Sequence, residues 1–352
     1  MRIKVKKHLL VITFFLTHPI NGRSVHRPPE SNIPTISIQS LHDERAYTVK
    51  DSHLEDYPHF AFDMRSFDSH LLPKTPIPYR NDPTKSISGL QVNTLIENLL
   101  TEVFNRKRVY SNFKILQTKN FNFENSCGLI VLKFKNHPFV LKLFLESPKT
   151  YLNAKIKGIE PIAFFTMGGG ANRHLSGLTR IPNLKYIQKK LNTIDRWKDC
   201  VEFPRKWFWL PQDPRWMKIT GYNLGGKGKL ETRLPGAYAI IADEMNMKHS
   251  LDMPTSEKKK IVIDLCNDVD IYMDPHYTNF TFMPHDSKPF NIVIVDTEHF
   301  PTIVGFKKKK VFRNHSSWYQ YLFGKYIKDA FFRTKDERIA AQTTPRELKL
   351  IQ

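Results

Sequence analysis

Two apolar runs of strand length, residues 128–134 and 139–145, are separated by only four residues, and this spacing constrains the fold more than any other feature of the chain. Runs of this length, rich in Val, Ile, Leu and Phe, are typical of strands, and the connection at residues 135–138 predicts a tight hairpin. A further strand is predicted over residues 113–116. Apolar residues at helical spacing across residues 90–104 predict a helix before it. The segment is therefore expected to be a helix followed by an antiparallel meander, as in an α+β protein.

The composition limits the classes of function. The chain has 352 residues, of which 40% are hydrophobic and 12% aromatic, enough to build a large core. A mean hydropathy of −0.43 with 25% charged residues excludes an integral polytopic membrane protein. The formal net charge of +20 would attract an acidic protein, an anionic membrane surface or an acidic substrate. The basic residues are spread along the chain, with one compact run at 307–310 and no recognisable nucleic-acid-binding motif, which argues against nucleic acid as a partner.

The first 88 residues are predicted to lie outside the main fold. Residues 1–22 combine a basic start, an apolar run at 9–16 and a polar break around Pro19, which is the pattern of a secretory signal. We therefore expect a secreted or exported protein, tethered to a membrane if the segment is not cleaved. Residues 23–88 are rich in Pro, Ser, His and Asp, which predicts an extended arm with little regular structure.

The remaining elements are predicted from period and composition. Helices are expected at residues 181–191, 255–268 and 317–332, and strands at 216–222, 237–242, 280–282 and 292–295. The glycine run at 168–170, followed by Arg173 and His174, is either a flexible connection or a loop whose backbone amides bind phosphate.

Three segments carry the residue types of a phosphoryl-transfer site. Lys142 lies within an apolar strand, where an ammonium needs an anionic partner or ligand, and it could hold the phosphates of a nucleotide. Asp274 could orient an acceptor hydroxyl and take up its proton. Asn279 and Asp296 offer the oxygen ligands that Mg²⁺ prefers. Because the chain turns back between Asn279 and Asp296, both can meet one metal ion.

These segments resemble the protein-kinase-like superfamily, and most closely its choline and aminoglycoside phosphotransferase branch. Residues 274–279 match the catalytic pattern D-x-H-x-x-N with His276 at its centre, residues 295–298 are similar to the metal-binding I-D-F-E, and residues 140–142 look like V-A-I-K. The resemblance covers roughly residues 110–335. It implies a kinase-like bilobal fold, with an antiparallel-sheet small lobe, a mainly helical large lobe and the N-terminal extended arm in front.

The resemblance also implies a nucleotide site and a domain organisation. Glu160 has the spacing of the helix acid that pairs with Lys142, and the segment that holds Asp243 and Met245 lies where the nucleotide-binding hinge would be. The cofactors implied are ATP and Mg²⁺. The expected domains are the signal-like segment 1–22, the arm 23–88, a small lobe 89–248 with a long insertion at about 146–215, and a helical lobe 249–352.

The function implied is transfer of a phosphoryl group from ATP to a hydroxyl-bearing small molecule or protein. A second interpretation is a non-catalytic, pseudokinase-type secreted binding protein, because no G-x-G-x-x-G precedes Lys142 and Tyr272 and Met273 replace the usual residues before the catalytic Asp. A third is a metal hydrolase in which His276, together with Asp274 and Asp296, would bind Zn²⁺ or Mn²⁺.

Overall fold

A computed structural model describes the protein at residues 35–50, 67–152, 170–222, 229–245, 256–269, 273, 279–285, 288–298 and 342–344. The helices are α1 (Gly89–Phe104), α2 (Pro148–Leu152), α3 (Gly170–Leu191) and α4 (Ser256–Val269), with a 3-10 turn at Asp195–Trp197. The strands are β1 (Thr35–Ser40), β2 (Ala46–Lys50), β3 (Pro76–Pro78), β4 (Ser86–Ser88), β5 (Phe113–Asn122), β6 (Cys127–Phe134), β7 (Phe139–Leu145), β8 (Val201–Glu202), β9 (Lys206–Trp209), β10 (Met217–Tyr222), β11 (Leu230–Leu234), β12 (Ala237–Asp243), β13 (Phe280–His285), β14 (Lys288–Ile294) and β15 (Gln342–Thr344). The mixed α+β class is confirmed.

The central sheet has the strand order β5-β6-β7-β12-β9, and every pair in it is antiparallel. The predicted hairpin is confirmed, with β6 and β7 in register from Gly128 opposite Leu145 to Lys133 opposite Val140. β7 is the middle strand, so Lys142 has a neighbour on both sides. The segment 146–215, predicted as an insertion, supplies both α3 and the edge strand β9 of this sheet.

The two faces of the central sheet differ in chemistry. Alternate residues of β7, among them Leu141 and Leu143, face α1 and join a fully buried apolar cluster with residues such as Val92 and Ile96. The helix begins at the N-cap Ser88, whose side chain accepts a hydrogen bond from the backbone N–H of Gln91 at 3.1 Å. The intervening residues of β7 point to the opposite face, and this face holds the candidate site.

Helix α3 packs on that second face through Gly177. A Cβ at Gly177 would lie 2.1 Å from Oη of Tyr238 and 2.7 Å from the ring of Phe144, so only glycine permits this approach. The two aromatic rings stack with centroids 4.6 Å apart. The predicted start of the helix at residue 181 was wrong: α3 begins at Gly170, and the end of the glycine run belongs to it. Packing on the aromatic pair stabilises a first half that apolar periodicity alone did not reveal.

A second sheet has the order β11-β10-β1-β2-β15. The expectation of an extended arm was wrong for residues 35–50, because β1 pairs with β10 over its whole length and also with β2. The alternating sequence of β1, in which Ile38 is completely buried, favours a strand despite the polar composition around it. The strand at 216–222 was expected in the small-lobe sheet, but Met217–Tyr222 lies in this second sheet.

A third sheet, of order β13-β14-β8, packs with α4 around an apolar cluster. Buried residues of α4, such as Ile263 and Leu265, meet Phe280 and Ile292 of the strands. The expected helical character of residues 249–352 is met by α4 alone in the described part of that region, which otherwise contains strands. The predicted helix at 317–332, the signal-like segment 1–22 and the basic run 307–310 lie outside the described residues. No helix in the described part of the chain is long and apolar enough to cross a bilayer.

Candidate functional site

The site is built on an ion pair between Lys142 and Asp296. Lys142 projects from the middle of β7, and Asp296 follows the end of β14, 154 residues later in the sequence. Their Nζ and Oδ2 atoms are 2.5 Å apart, and the side chains are only 22% and 10% exposed. The anionic partner expected for a lysine inside an apolar strand is therefore one of the two residues predicted to bind metal.

Helix α3 adds a second cation to this pair. The Arg180 side chain is almost completely buried, and its Nη2 lies 2.7 Å from Oε1 of Glu298. Its Nε is 3.4 Å from Oδ1 of Asp296, and its guanidinium carbon lies 5.4 Å from the ring centroid of Phe144. Ser176, one turn earlier on the same helix face, also donates to Glu298. The acidic segment after β14 is thus held directly by α3.

Thr297 fixes the backbone of the same segment. It is completely buried, and its hydroxyl donates to the carbonyl of Arg180 at 2.5 Å. Asn183, one turn further along α3, donates from Nδ2 to the Thr297 carbonyl at 3.0 Å. The Thr297 hydroxyl also accepts a hydrogen bond at 3.3 Å from Nζ of Lys206, which stands on β9. Three cations therefore surround residues 296–298.

The charges shift one another's pKa values. Burial acts to raise the pKa of Asp296, but the surrounding cations, Arg180 first among them, outweigh it and hold the pKa well below its usual range. Burial acts to lower the pKa of Arg180, yet the two carboxylates raise it above its ordinary value. Burial lowers the pKa of Lys142 by more than Asp296 raises it. The carboxylate and the guanidinium are therefore both ionised at neutral pH.

Lys206 is in a different position from the other two cations. Its residue is only 9% exposed, and it forms no ion pair with the described residues; its polar contact is the neutral hydroxyl of Thr297. Burial is the main reason that the pKa of Lys206 is lowered to about 7; Lys142 and Arg180 lower it further, and Asp296 opposes them only in part.

The predicted metal ligands Asn279 and Asp296 lie at the same end of the β13–β14 hairpin. Asn279 comes directly before β13, and its carbonyl accepts a hydrogen bond at 3.0 Å from the backbone N–H of Val295. The buried Oδ1 of Asp296 has no hydrogen-bond partner among the described residues. It lies 3.4 Å from Nε of Arg180, so in this arrangement the oxygen faces a guanidinium, with which a bound Mg²⁺ would have to share it. No group of three or more His, Cys, Asp and Glu residues suited to a metal ion occurs in the described ranges.

The other predicted site residues divide into those outside and those inside the described chain. Asp274, Glu160 and His276 lie outside it. Met245 is half-buried and is the last residue before the gap at 246–255. It follows β12 at the end of the central sheet, where the resemblance puts a hinge.

Asp243, which the resemblance also places at a hinge, belongs to an ion-pair network. Arg205 binds its carboxylate with two nitrogens, each at 2.8 Å, and Nη1 of Arg80 is 3.7 Å away. Arg80 also pairs with Glu202 of β8, and Glu202 accepts a hydrogen bond at 3.2 Å from Asn291 of β14. The Asp243 carboxylate is therefore engaged by arginines, and the network connects the end of β12 to β14.

Sequence reasoning did not select Arg180, Lys206 or Ser176. A usable signal was the polar stripe of Ser176, Arg180 and Asn183, which recurs at three- and four-residue spacing beside the buried apolar positions Leu178, Ile181 and Leu184 of the same helix. Lys206 stands in an otherwise aromatic strand, just as Lys142 stands in an aliphatic one. Both signals mark a polar group inside a core, where it needs a partner.

Acid stability should depend on His174, near the start of α3. It is 1% exposed, and its Nε2 donates to the carbonyl of Pro235 at 2.6 Å. Burial lowers its pKa from 6.5 to about 4. Because the pKa is lower in the folded than in the unfolded state, stability is complete above pH 6.5 and falls progressively towards pH 4, by about 3 kcal/mol in total.

Urea unfolding between pH 4 and pH 7 measures this effect. The His174→Gln variant, which keeps a donor for Pro235, should lose this part of the pH dependence. The variant His42→Gln, at a half-exposed histidine, should keep the wild-type slope. Equal slopes in the wild type and His174→Gln would contradict the assignment.

Comparison of the chain with protein-family models, with curated proteins and with solved structures finds no match. The arrangement of the site must therefore be interpreted from its own chemistry. A lysine and a carboxylate in contact, with two further cations beside them, offer positive charge to an anion, and Asp296 is an oxygen ligand of the kind that Mg²⁺ prefers.

Proposed function

We propose that this protein is a divergent kinase-like phosphotransferase, which transfers a phosphoryl group from ATP, with Mg²⁺, to a hydroxyl-bearing small molecule or protein. The observation that carries the proposal is the 2.5 Å contact between Lys142 and Asp296. The residue expected to bind phosphates and one expected to bind metal come from segments 154 positions apart, and they meet on one face of a buried sheet. Phosphoryl transfer uses a lysine that binds phosphates close to an acid that binds Mg²⁺, so this proximity supports the proposal.

The proposal extends to the architecture. The central sheet, with α3 on its site face, corresponds to the small lobe of a kinase-like fold. The sheet β13-β14-β8 and α4 belong to the second lobe, and the segment after β14 brings Asp296 back to Lys142. This order of a lysine strand, a packed helix, a hinge strand and a metal-binding hairpin supports a bilobal interpretation.

Each residue has a separate role in this mechanism. Lys142 donates hydrogen bonds to the α- and β-phosphates, and Asp274 accepts the proton of the attacking hydroxyl. Asp296 and Asn279 would hold Mg²⁺, which neutralises charge on the phosphates when bound. Arg180 fixes Asp296 and Glu298 in position from α3.

Nucleotide binding by the full chain tests the proposal. Isothermal titration with ATP in the presence of Mg²⁺ should detect binding, and Lys142→Met should weaken it by about tenfold or more, because charged hydrogen bonds to phosphate are lost. Incubation with γ-labelled ATP should show label on the chain itself, on an added acceptor, or on water.

The matched control is Lys114→Met, because Lys114 is an exposed lysine on the edge strand β5 of the same sheet. It should bind ATP as the wild type does. Absence of ATP binding by the folded wild-type chain would refute the phosphotransferase proposal. So would binding that Lys142→Met leaves unchanged.

One observation favours a second candidate, a non-catalytic secreted binding protein on the same scaffold. Asp296 is already engaged by Lys142 and Arg180, and the helix facing Lys142 presents an arginine to the site where the kinase-like pattern has an acid. Nucleotide binding without transfer of label would favour this candidate. The net charge of +20 and the signal-like segment 1–22 fit either candidate acting outside the cell on an acidic protein or an anionic membrane surface.

A further inference from the structure

The site has more basic than acidic side chains, and the basic residue without an ion-pair partner among the described residues is Lys206. Three buried cations face two carboxylates among the described residues. Lys142 and Arg180 share Asp296, and Arg180 also takes Glu298. No described carboxylate remains for Lys206.

Folding alone does not explain a lysine at this position. A buried ammonium whose polar contact is one hydroxyl at 3.3 Å costs stability, because a neutral group compensates little of the lost hydration. Phe208, the next residue of β9 on the same face as Lys206, is completely buried, so an apolar side chain at position 206 would suit its surroundings. The Thr297 hydroxyl does not need it either, since it donates to the carbonyl of Arg180.

Lys206 lies close to Lys142 in the fold. The two lysines are on the same face of the central sheet, two strands apart, with Lys142 opposite Ile240 and Lys206 opposite Ala242. They contact consecutive residues, Asp296 and Thr297. An anion bound against this segment would therefore be within reach of both ammonium groups.

We propose that Lys206 is a second phosphate-binding residue of the site and that, together with Lys142, it binds the polyphosphate chain of the ligand. The inference rests on the proposed function for the identity of the nucleotide, but not for the recognition of phosphate. It also accounts for how the phosphates are held in a chain that has no glycine-rich loop before Lys142. The low pKa of Lys206 agrees with this role, because a bound anion would restore the charged state that burial disfavours.

The test is the variant Lys206→Met in the full chain, because methionine keeps the stem and removes the charge. We expect it to raise the midpoint of thermal unfolding by about 2 °C or more, since a buried charge without an ion-pair partner is removed. We expect it to weaken binding of ATP with Mg²⁺, and of inorganic tripolyphosphate, by about tenfold or more. Lys206→Arg should retain part of the affinity, and Lys114→Met should retain all of it.

The outcomes separate this inference from the proposed function. Weaker phosphate binding without a lower unfolding midpoint supports the role of Lys206. Unchanged binding, or a loss that follows a lower midpoint, overturns it even if ATP binds through Lys142. If the wild type binds tripolyphosphate through Lys206 but does not bind ATP, the phosphotransferase proposal fails and this inference stands. If it binds neither, both fail.

Discussion

Replacing Asp296 with Asn should lower the free energy of unfolding by about 3–5 kcal/mol. The substitution removes the carboxylate that both Lys142 and Arg180 contact and leaves buried cations without compensation. Urea denaturation followed by circular dichroism measures the change. The same variant should lose Mg²⁺-dependent nucleotide binding, since it removes the negative charge that Asp296 offers to the ion in the proposed site.

Two further variants test whether the loss of stability in Asp296→Asn comes from the buried ion pair. Asp82→Asn removes an exposed carboxylate that pairs with Lys85 at 2.9 Å, and it should leave the unfolding midpoint close to that of the wild type. The double variant Lys142→Met/Asp296→Asn should be more stable than Asp296→Asn alone, because one of the stranded cations has gone. A loss below about 1 kcal/mol in the single variant would contradict the buried ion pair.

Gly177→Ala should destabilise the protein by about 2–3 kcal/mol, the cost of forcing extra volume into a packed core. The new methyl group would meet Oη of Tyr238 and the ring of Phe144 at distances that real Cβ atoms do not adopt, so α3 must shift away from the sheet. Because α3 carries Arg180, we also expect weaker nucleotide binding. Helix propensity alone predicts the opposite, a gain of about 1 kcal/mol for Gly→Ala.

The sign of the change in unfolding free energy decides between the steric clash and the gain in helix propensity. Chemical denaturation of Gly177→Ala should be compared with Lys185→Ala, at an exposed position on the same helix. The control should stay within about 0.5 kcal/mol of the wild type. A stabilised Gly177→Ala would show that α3 does not pack on the aromatic pair as described.

Local pattern was enough to predict the hairpin of β6 and β7, because strand period and a short turn are both readable from neighbouring residues. It also singled out Lys142 and Asp296, whose side chains the structure brings into contact. The ion pair between Arg180 of α3 and Asp296 was not predictable, because the two residues are more than a hundred positions apart in the sequence. The strand β1 was missed for a similar reason: its partner β10 is distant in sequence, and the polar composition around it favoured a loop.

The position of β9 in the central sheet was not predictable either, because it also depends on pairing between distant segments. The meander was predicted as consecutive strands, but β9 enters the sheet at its edge, beside β12 and after an intervening helix. Nothing local to Lys206 reveals that its strand lies two positions from that of Lys142. The sequence marks Lys206 as a polar residue in an aromatic strand, but its position on the same sheet face as Lys142 became visible only once the register of the sheet was known.

The ion-pair network around Asp243 has a mechanical consequence. From the end of β12, the chain of contacts through Arg80 and Glu202 reaches Asn291 of β14. The parallel pairing of β14 with β8 strengthens the same edge. Movement between the central sheet and the β13–β14 hairpin is therefore restrained at this edge. The network thus connects the strand that ends at Asp243 to the hairpin that leads to Asp296.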